Sequence, residues 1–315
     1  MSFSRKLIAG AAVAGLLSTV GVIPAEARPK NLARAVAQPD WLEQNIDNPK
    51  VRIIEVSTEP GIYERGHIKN SIKFVWHTDL VDTVNRDIIN LANFTALAQK
   101  AGISDDTTVV LYGDKNNWFA AWGAWIFNIY GQKDVRILDG GRVKWEKDGR
   151  ALTTAVPTFK AGNFNANPAD KNLRANIIKD VIPAAKKTKV AALIDIRSAD
   201  EFSGKIFAPA GFQELAVRAG HIPGAVNISW GQNVNADGTF KTVAELKKLY
   251  ADKGITGDDQ IITYCRIGER SSLTWFVLSE ILGFQKVKNY DGSWSEYGNK
   301  IGDPISNPAG TIWGA

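Results

Sequence analysis

The feature that most constrains this 315-residue chain is that it repeats itself. Ile53-Ile54-Glu55-Val56 is echoed by Leu193-Ile194-Asp195-Ile196, and Gly66-His67-Ile68 by Gly220-His221-Ile222. Val110-Leu111-Tyr112-Gly113 is echoed by Ile262-Thr263-Tyr264-Cys265, and Leu138-Asp139-Gly140-Gly141 by Asn289-Tyr290-Asp291-Gly292. A repeat of this size means two copies of one domain, not a solenoid of small units. The length suits two ordinary domains. The second copy carries an insertion of about fourteen residues between its first strand and its Gly-His-Ile turn.

Within each copy, short β-rich runs alternate with helical patterns. Thr107 to Tyr112 reads as a strand, followed by an apolar helix from Trp118 to Tyr130 that Gly131 ends. Gln260 to Tyr264 and Ser271 to Leu282, ended by Gly283, repeat the arrangement. Val190 to Ile196 is apolar except for Asp195, the pattern of a strand buried on both faces. Such alternation predicts an α/β fold in which each copy is a mainly parallel sheet flanked by helices. Ligands of these sheets bind beyond the carboxyl ends of the strands. Residues 157–172, rich in Asn, Ala, Gly and Lys, read as a linker, and the Pro/Gly-rich tail after Gly302 as an irregular segment.

Cys265, the only cysteine, stands where the second copy's strand gives way to its helix, in the run Cys265-Arg266-Ile267-Gly268-Glu269-Arg270-Ser271-Ser272. Backbone N–H groups at a helix N-terminus lack intrahelical partners, and the helix dipole favours negative charge there. Two arginines follow within five residues. Gly268 permits a positive φ, so the loop can aim successive N–H groups at one point. These features predict a stabilised thiolate, the nucleophilic form, ionised in part below the free cysteine value of about 8.5. The bland alternative is a buried structural cysteine. For Glu269, orienting an arginine competes with a solvated surface charge.

The run from Cys265 to Ser272 resembles the active-site loop of the rhodanese (thiosulfate sulfurtransferase) family. Leu193 to Ser198 through Glu201-Phe202, Gly220 to Ala225, and Asn289 to Trp294 resemble that family in the same order. The first half resembles the degenerate partner domain of exported bacterial tandem rhodaneses. The resemblance implies residues 28–156 as an inactive N-terminal rhodanese-like domain and 173–315 as the catalytic one. It implies that the Cys265 thiolate attacks the outer sulfur of thiosulfate, releases sulfite, and passes the sulfur from a persulfide to cyanide or a thiol. No cofactor and no metal are implied. Arg266, Ile267, Gly268, Glu269 and Arg270 would surround the anionic donor, since arginine's fixed fork suits a planar anion. Asp195 and Arg197 match the family's Asp-x-Arg motif and either line the loop or brace the fold. In the first copy, Gly113 replaces the cysteine, Asp114 would repel a dianion, and Asn117 and Trp118 would wall the site or fill the core.

His67 and His221 hold one position in the two copies although only one copy has a thiol, so both read as structural. His77 has no partner, and a Cys–His hydrolase triad finds little support. Cysteine phosphatases place their arginine sixth after the cysteine, where this chain has Ser271, with Arg270 fifth. A 3-mercaptopyruvate sulfurtransferase, whose loop is mostly uncharged, is the nearer rival, and a non-enzymatic sulfur carrier is the third.

The remaining readings concern location and partners. Arg5 and Lys6, the apolar run Leu7 to Ile23, and Ala25-Glu26-Ala27 form the three-part pattern of a cleaved secretory signal over residues 1–27. A membrane anchor is the alternative, with a run marginal for a span. The expectation is a periplasmic or secreted protein without stable membrane association after cleavage. A net charge of +5 without a basic block fits a small anion better than nucleic acid. One cysteine allows no internal disulfide, and the chain is long enough to build cores without one.

Overall fold

The computed structural model describes residues 32–188, 190–213 and 215–314; the expected signal segment 1–27 lies outside them. The first half holds strands β1 (Val36–Ala37), β2 (Val51–Glu55), β3 (Ser71–Lys73), β4 (Thr108–Tyr112) and β5 (Asp134–Leu138), in the order β1-β5-β4-β2-β3. The second holds β6 (Ala192–Asp195), β7 (Val226–Asn227), β8 (Ile261–Tyr264) and β9 (Val287–Tyr290), in the order β7-β6-β8-β9. Every pairing in both sheets is parallel. Parallel neighbours require crossovers, and these carry the helices. The two sheets superpose in order, because Leu173 to Ala175 lie beside β9 as β1 lies beside β5. There Asn289 N–H donates to the Leu173 carbonyl, Ala175 N–H donates to that of Asn289, and both bonds are 3.0 Å.

The helices that matter below are α1 (Leu91–Lys100), α2 (Trp118–Ile129), α3 (Gly141–Lys147), α4 (Ala199–Ser203), α5 (Val243–Ala251), α6 (Glu269–Phe276) and α7 (Ser293–Tyr297). Helix α2 is apolar all round and nearly wholly buried, the composition of a helix with no solvent face. It packs on α6, which follows the cysteine loop, and α6 is buried at every position. Helix α6 starts two residues earlier than the sequence pattern suggests and passes at Val277 into a wider π turn that runs to Ile281.

Residues 157–172 have no regular secondary structure, yet they are bound to the first half as a strap. Phe164 is buried, its N–H donates to the Ile103 carbonyl (3.2 Å), and Asn167 N–H donates to that of Tyr130 (3.0 Å). The C-terminal tail is pinned as well: Ser306 and His221 exchange backbone hydrogen bonds of 2.9 and 2.8 Å.

Candidate active site

Strand β8 lies between β6 and β9, and the chain leaves its carboxyl end as the loop 265–268 before entering α6. The start of α7 holds this loop. Cys265 N–H donates to Ser293 Oγ (3.1 Å), Trp294 N–H donates to the Cys265 carbonyl (3.1 Å), and Ser295 N–H donates to that of Arg266 (3.0 Å). Inside the loop, Gly268 N–H donates to Cys265 Sγ at 3.1 Å. Gly268 has φ +98°, and a Cβ there would stand 2.6 Å from Asp291 Cα and 2.7 Å from the Trp122 ring, so glycine is required twice over.

Cys265 is fully buried, and four charged side chains lie around it: Glu269, Arg270, Arg266 and, behind Arg270, Glu201. Glu269 Oε2 is 3.4 Å from Sγ, in position to accept the S–H. Arg270 is buried and its guanidinium meets Glu201 in two hydrogen bonds of 3.2 and 3.1 Å, with its Nε 3.6 Å from Glu269. Glu201 is itself fixed by the capping box of α4, accepting from Ser198 N–H (3.1 Å) and Oγ (3.0 Å). Burial alone would raise the Glu201 pKa, but Arg270 holds it below the usual carboxylate value. Arg266 takes another course. It forms no ion pair among the described residues, and its guanidinium lies over the Phe212 ring, 5.6 Å from the centroid. Phe212 belongs to the insertion particular to the second copy and is more than half exposed.

The expectation of a lowered thiol pKa is corrected here. Burial pushes the Cys265 thiol up, Glu269 pushes it further, and Arg270 and Ser271 offset only part of the rise. Desolvation penalises the charged form, and a carboxylate beside sulfur adds like-charge repulsion. Glu269, within hydrogen-bonding distance of Sγ, is a buried part of the site and not surface charge.

Asp195 and Arg197 brace the fold. The fully buried Arg197 makes bonds of 3.0 and 2.6 Å to Asp195 and donates to the Gly220 carbonyl (2.7 Å), with its guanidinium over Trp294. Neither makes a hydrogen bond to the 265–270 loop among the described residues. The first copy does the same job with other residues: Arg142, from α3, pairs with Glu55 (3.0 Å) and donates to the Gly66 carbonyl (2.6 Å). The histidines are structural in both copies. His67 Nδ1 meets the Tyr63 carbonyl (2.9 Å) and His221 Nδ1 that of Phe202 (2.6 Å), each ring stacked on the same aromatic residue.

The first copy's loop is filled by its own residues. Asp114 does not face a donor; its carboxylate accepts Thr58 N–H (3.1 Å) and Glu59 N–H (2.8 Å). Asn117 bridges Gly113 N–H (3.0 Å) and the Leu138 carbonyl (2.9 Å). Trp118 packs edge-on against Trp230, with centroids 4.8 Å apart, and it is Trp122 that stands against Gly268. The sequence reading also missed Arg86, which reaches across from the first half to donate to the Ile267 carbonyl at 2.6 Å, a contact between residues 181 apart. Ile267 contributes that carbonyl, and its side chain packs on the core. No cluster of metal-ligating side chains occurs among the described residues.

A buried cysteine in a loop after a central parallel strand, repeated without the thiol in a twin unit, defines a tandem of two like α/β domains of which one carries a thiol. The sequence profile described as a rhodanese-like domain matches residues 38–148 and again 179–300, and the chain belongs to the rhodanese family. A Mycobacterium bovis protein named "Putative thiosulfate sulfurtransferase 1" is 51% identical over 267 residues, covering 84% of this chain and 95% of the relative. The sulfur carrier protein TtuD of Thermus thermophilus is 48% identical over 271 residues, covering 85% and 94%. Among solved structures, SseA of Escherichia coli, described as a 3-mercaptopyruvate sulfotransferase with the rhodanese fold, aligns with a TM-score of 0.69 at 27% identity, covering 82% of this chain and 98% of its own.

Proposed function

We propose that the protein is a thiosulfate sulfurtransferase that carries sulfane sulfur on Cys265. The observation that carries this reading is the Gly268 N–H donated to Sγ at 3.1 Å, in a buried loop with Arg266 and Arg270 beside it. An amide aimed at sulfur stabilises a thiolate and the terminal sulfur of a persulfide alike. The names of the 51% and 48% relatives support a sulfur-transfer role for this chain.

In the first half-reaction the Cys265 sulfur attacks the outer sulfur of thiosulfate. A new S–S bond forms, the S–S bond of thiosulfate breaks, and sulfite departs with that electron pair. In the second, cyanide or a thiol attacks the terminal sulfur and the pair returns to Cys265. With cyanide the cycle neither consumes nor releases a proton. The thiol proton must therefore rest elsewhere while the sulfur is a persulfide anion, and Glu269, at 3.4 Å, is placed to hold it and return it. Arg266, without an ion pair among the described residues and next to the exposed Phe212, is placed to meet the incoming dianion.

Incubation with thiosulfate should add one sulfur, about 32 Da, to the intact mass, and Cys265→Ser should abolish both the adduct and thiosulfate:cyanide turnover. No adduct on the wild type would sink the reading. Faster turnover with mercaptopyruvate than with thiosulfate would move it to the 3-mercaptopyruvate class, and an adduct without turnover would favour a carrier.

The reading includes export. The charged, apolar and small-residue pattern of residues 1–27 supports a cleaved signal and a periplasmic or secreted enzyme. No helix among the described residues is long and apolar enough to cross a membrane. The expected mature N-terminus, read by sequencing of protein from the envelope fraction, lies near Arg28; an intact segment 1–27 would count against export by cleavage.

A further inference from the structure

We propose that Arg86, on the half that lacks a thiol, positions the amide that holds the catalytic sulfur: it grips the carbonyl end of the Ile267–Gly268 peptide and so fixes the direction of the Gly268 N–H. The proposal rests on Cys265 being the sulfur-accepting nucleophile. A trans peptide is planar, with its C=O and N–H pointing in opposite directions. In this peptide the N–H donates to Cys265 Sγ (3.1 Å) and the C=O accepts from Arg86 Nη2 (2.6 Å). The next residue is a glycine at φ +98°, which leaves rotation of that peptide cheap unless its outer end is held. A cation on the carbonyl also polarises the amide and strengthens its N–H as a donor.

The first half is built to present Arg86. Its backbone takes the left-handed conformation (φ 56°), uncommon for a residue with a side chain. The turn that imposes this is organised by Asp82, whose carboxylate accepts Val84 and Asn85 N–H (both 2.8 Å) and whose carbonyl accepts Arg86 N–H (2.9 Å). The guanidinium lies over the Trp76 and Trp122 rings (5.2 and 5.3 Å), and Trp122 is the ring that stands against Gly268. Its Nη1 is 3.8 Å from Asp291, which Arg174 holds in two bonds of 2.9 and 3.0 Å, and Arg174 also pairs with Asp87 (2.6 Å). Local strain held by so many contacts points to a positional role.

The charged groups around Cys265 are Glu269, Arg270, Arg266 and Glu201, and those around Arg86 are Asp291, Asp87 and Arg174. None of these changes in Arg86→Met, which keeps the stem between the tryptophans and removes the donors. Cys265 is the only cysteine, so alkylation by iodoacetamide reads its ionisation alone. In folded Arg86→Met the alkylation profile should move up by about one pH unit, because an amide no longer held toward sulfur stabilises the thiolate less. The kcat with thiosulfate and cyanide should fall about tenfold or more while KM for thiosulfate stays within about twofold, and Arg86→Lys should recover part of the loss.

An unchanged profile and kcat would overturn the proposal. So would a raised KM with unchanged ionisation, which would mean that Arg86 recruits anions from the cavity of about 880 Å³ it lines between the halves. If Arg86→Met does not fold, Arg86→Lys decides alone: a smaller shift of the same sign is expected, and a wild-type profile refutes the assignment. If the wild type itself takes no sulfur from thiosulfate, the sulfur-transfer reading fails while alkylation still decides the role of Arg86.

Discussion

At the scale of residues, the balance around Cys265 is between one carboxylate and one arginine, both within the same turn of α6. Burial raises the thiol's pKa, Glu269 raises it further, and Arg270 lowers it. Arg270 is itself divided between Glu201 and the sulfur's surroundings, so it cannot cancel Glu269. Glu269→Gln removes the carboxylate and keeps the shape, and the sign follows: without the like charge the thiolate is less penalised, so the pKa falls. Alkylation of the free thiol should reach half its maximum at a lower pH than in the wild type. Turnover with cyanide should nonetheless drop, because the group proposed to hold the thiol proton during the persulfide stage is gone. A variant with unchanged alkylation would show that Glu269 is not felt at sulfur, and one with unchanged turnover would remove its proton-holding role. Cys265 was legible through its surroundings, since charged residues and a glycine crowd one side of a lone thiol. Which way the charges would sum was not legible, because that depends on Glu201, 69 residues away from Arg270.

At the scale of elements, the strands and helices were legible where apolar periodicity was strong. Strands β4, β6 and β8 and helix α2 lie within the runs read from the sequence, shortened at their ends by one to two residues. The repeat carried the rest, because two copies of one pattern constrain each other. What stayed hidden were contacts made by residues with no periodic signature. The first copy replaces the Asp195–Arg197 pair with Glu55 and Arg142, taking its arginine from helix α3 where the second copy takes it from the loop just after β6, so the equivalence shows only in space. The strap over 157–172 reads as a linker by composition, yet it uses backbone groups and a single buried Phe164 to lie along α1 and α2, and backbone pairing leaves no trace in residue type. Arg86 was invisible for the same reason: its partner is a carbonyl, which every residue possesses.

At the scale of the whole molecule, the half without a thiol and the half that carries Cys265 share one core. A single apolar core contains Trp122, Trp125 and Phe127 from the first copy and Leu273, Phe276 and Val277 from the second. Polar bonds cross the same boundary: Trp125 Nε1 donates to the Leu173 carbonyl (2.9 Å), and Phe240 N–H to Asp139 (2.9 Å). Exposing a large apolar side chain costs about 1.5–3 kcal/mol, so baring the α2 and α6 faces together would cost about as much as the roughly 5–15 kcal/mol that holds a domain folded. Two-domain chains commonly melt in two steps. This chain is expected to melt in one, with calorimetric and van't Hoff enthalpies in agreement and sulfur-transfer activity lost in the same transition. Two resolved transitions, with activity surviving the first, would show that the catalytic half stands alone and that Arg86 and α2 are dispensable to it. Residues 173–315 expressed alone give the complementary test. Without α2 to cover Leu273 and Phe276, they should be aggregation-prone and should fail to form the 32 Da adduct expected of the full chain on persulfide formation, about one sulfur per protein.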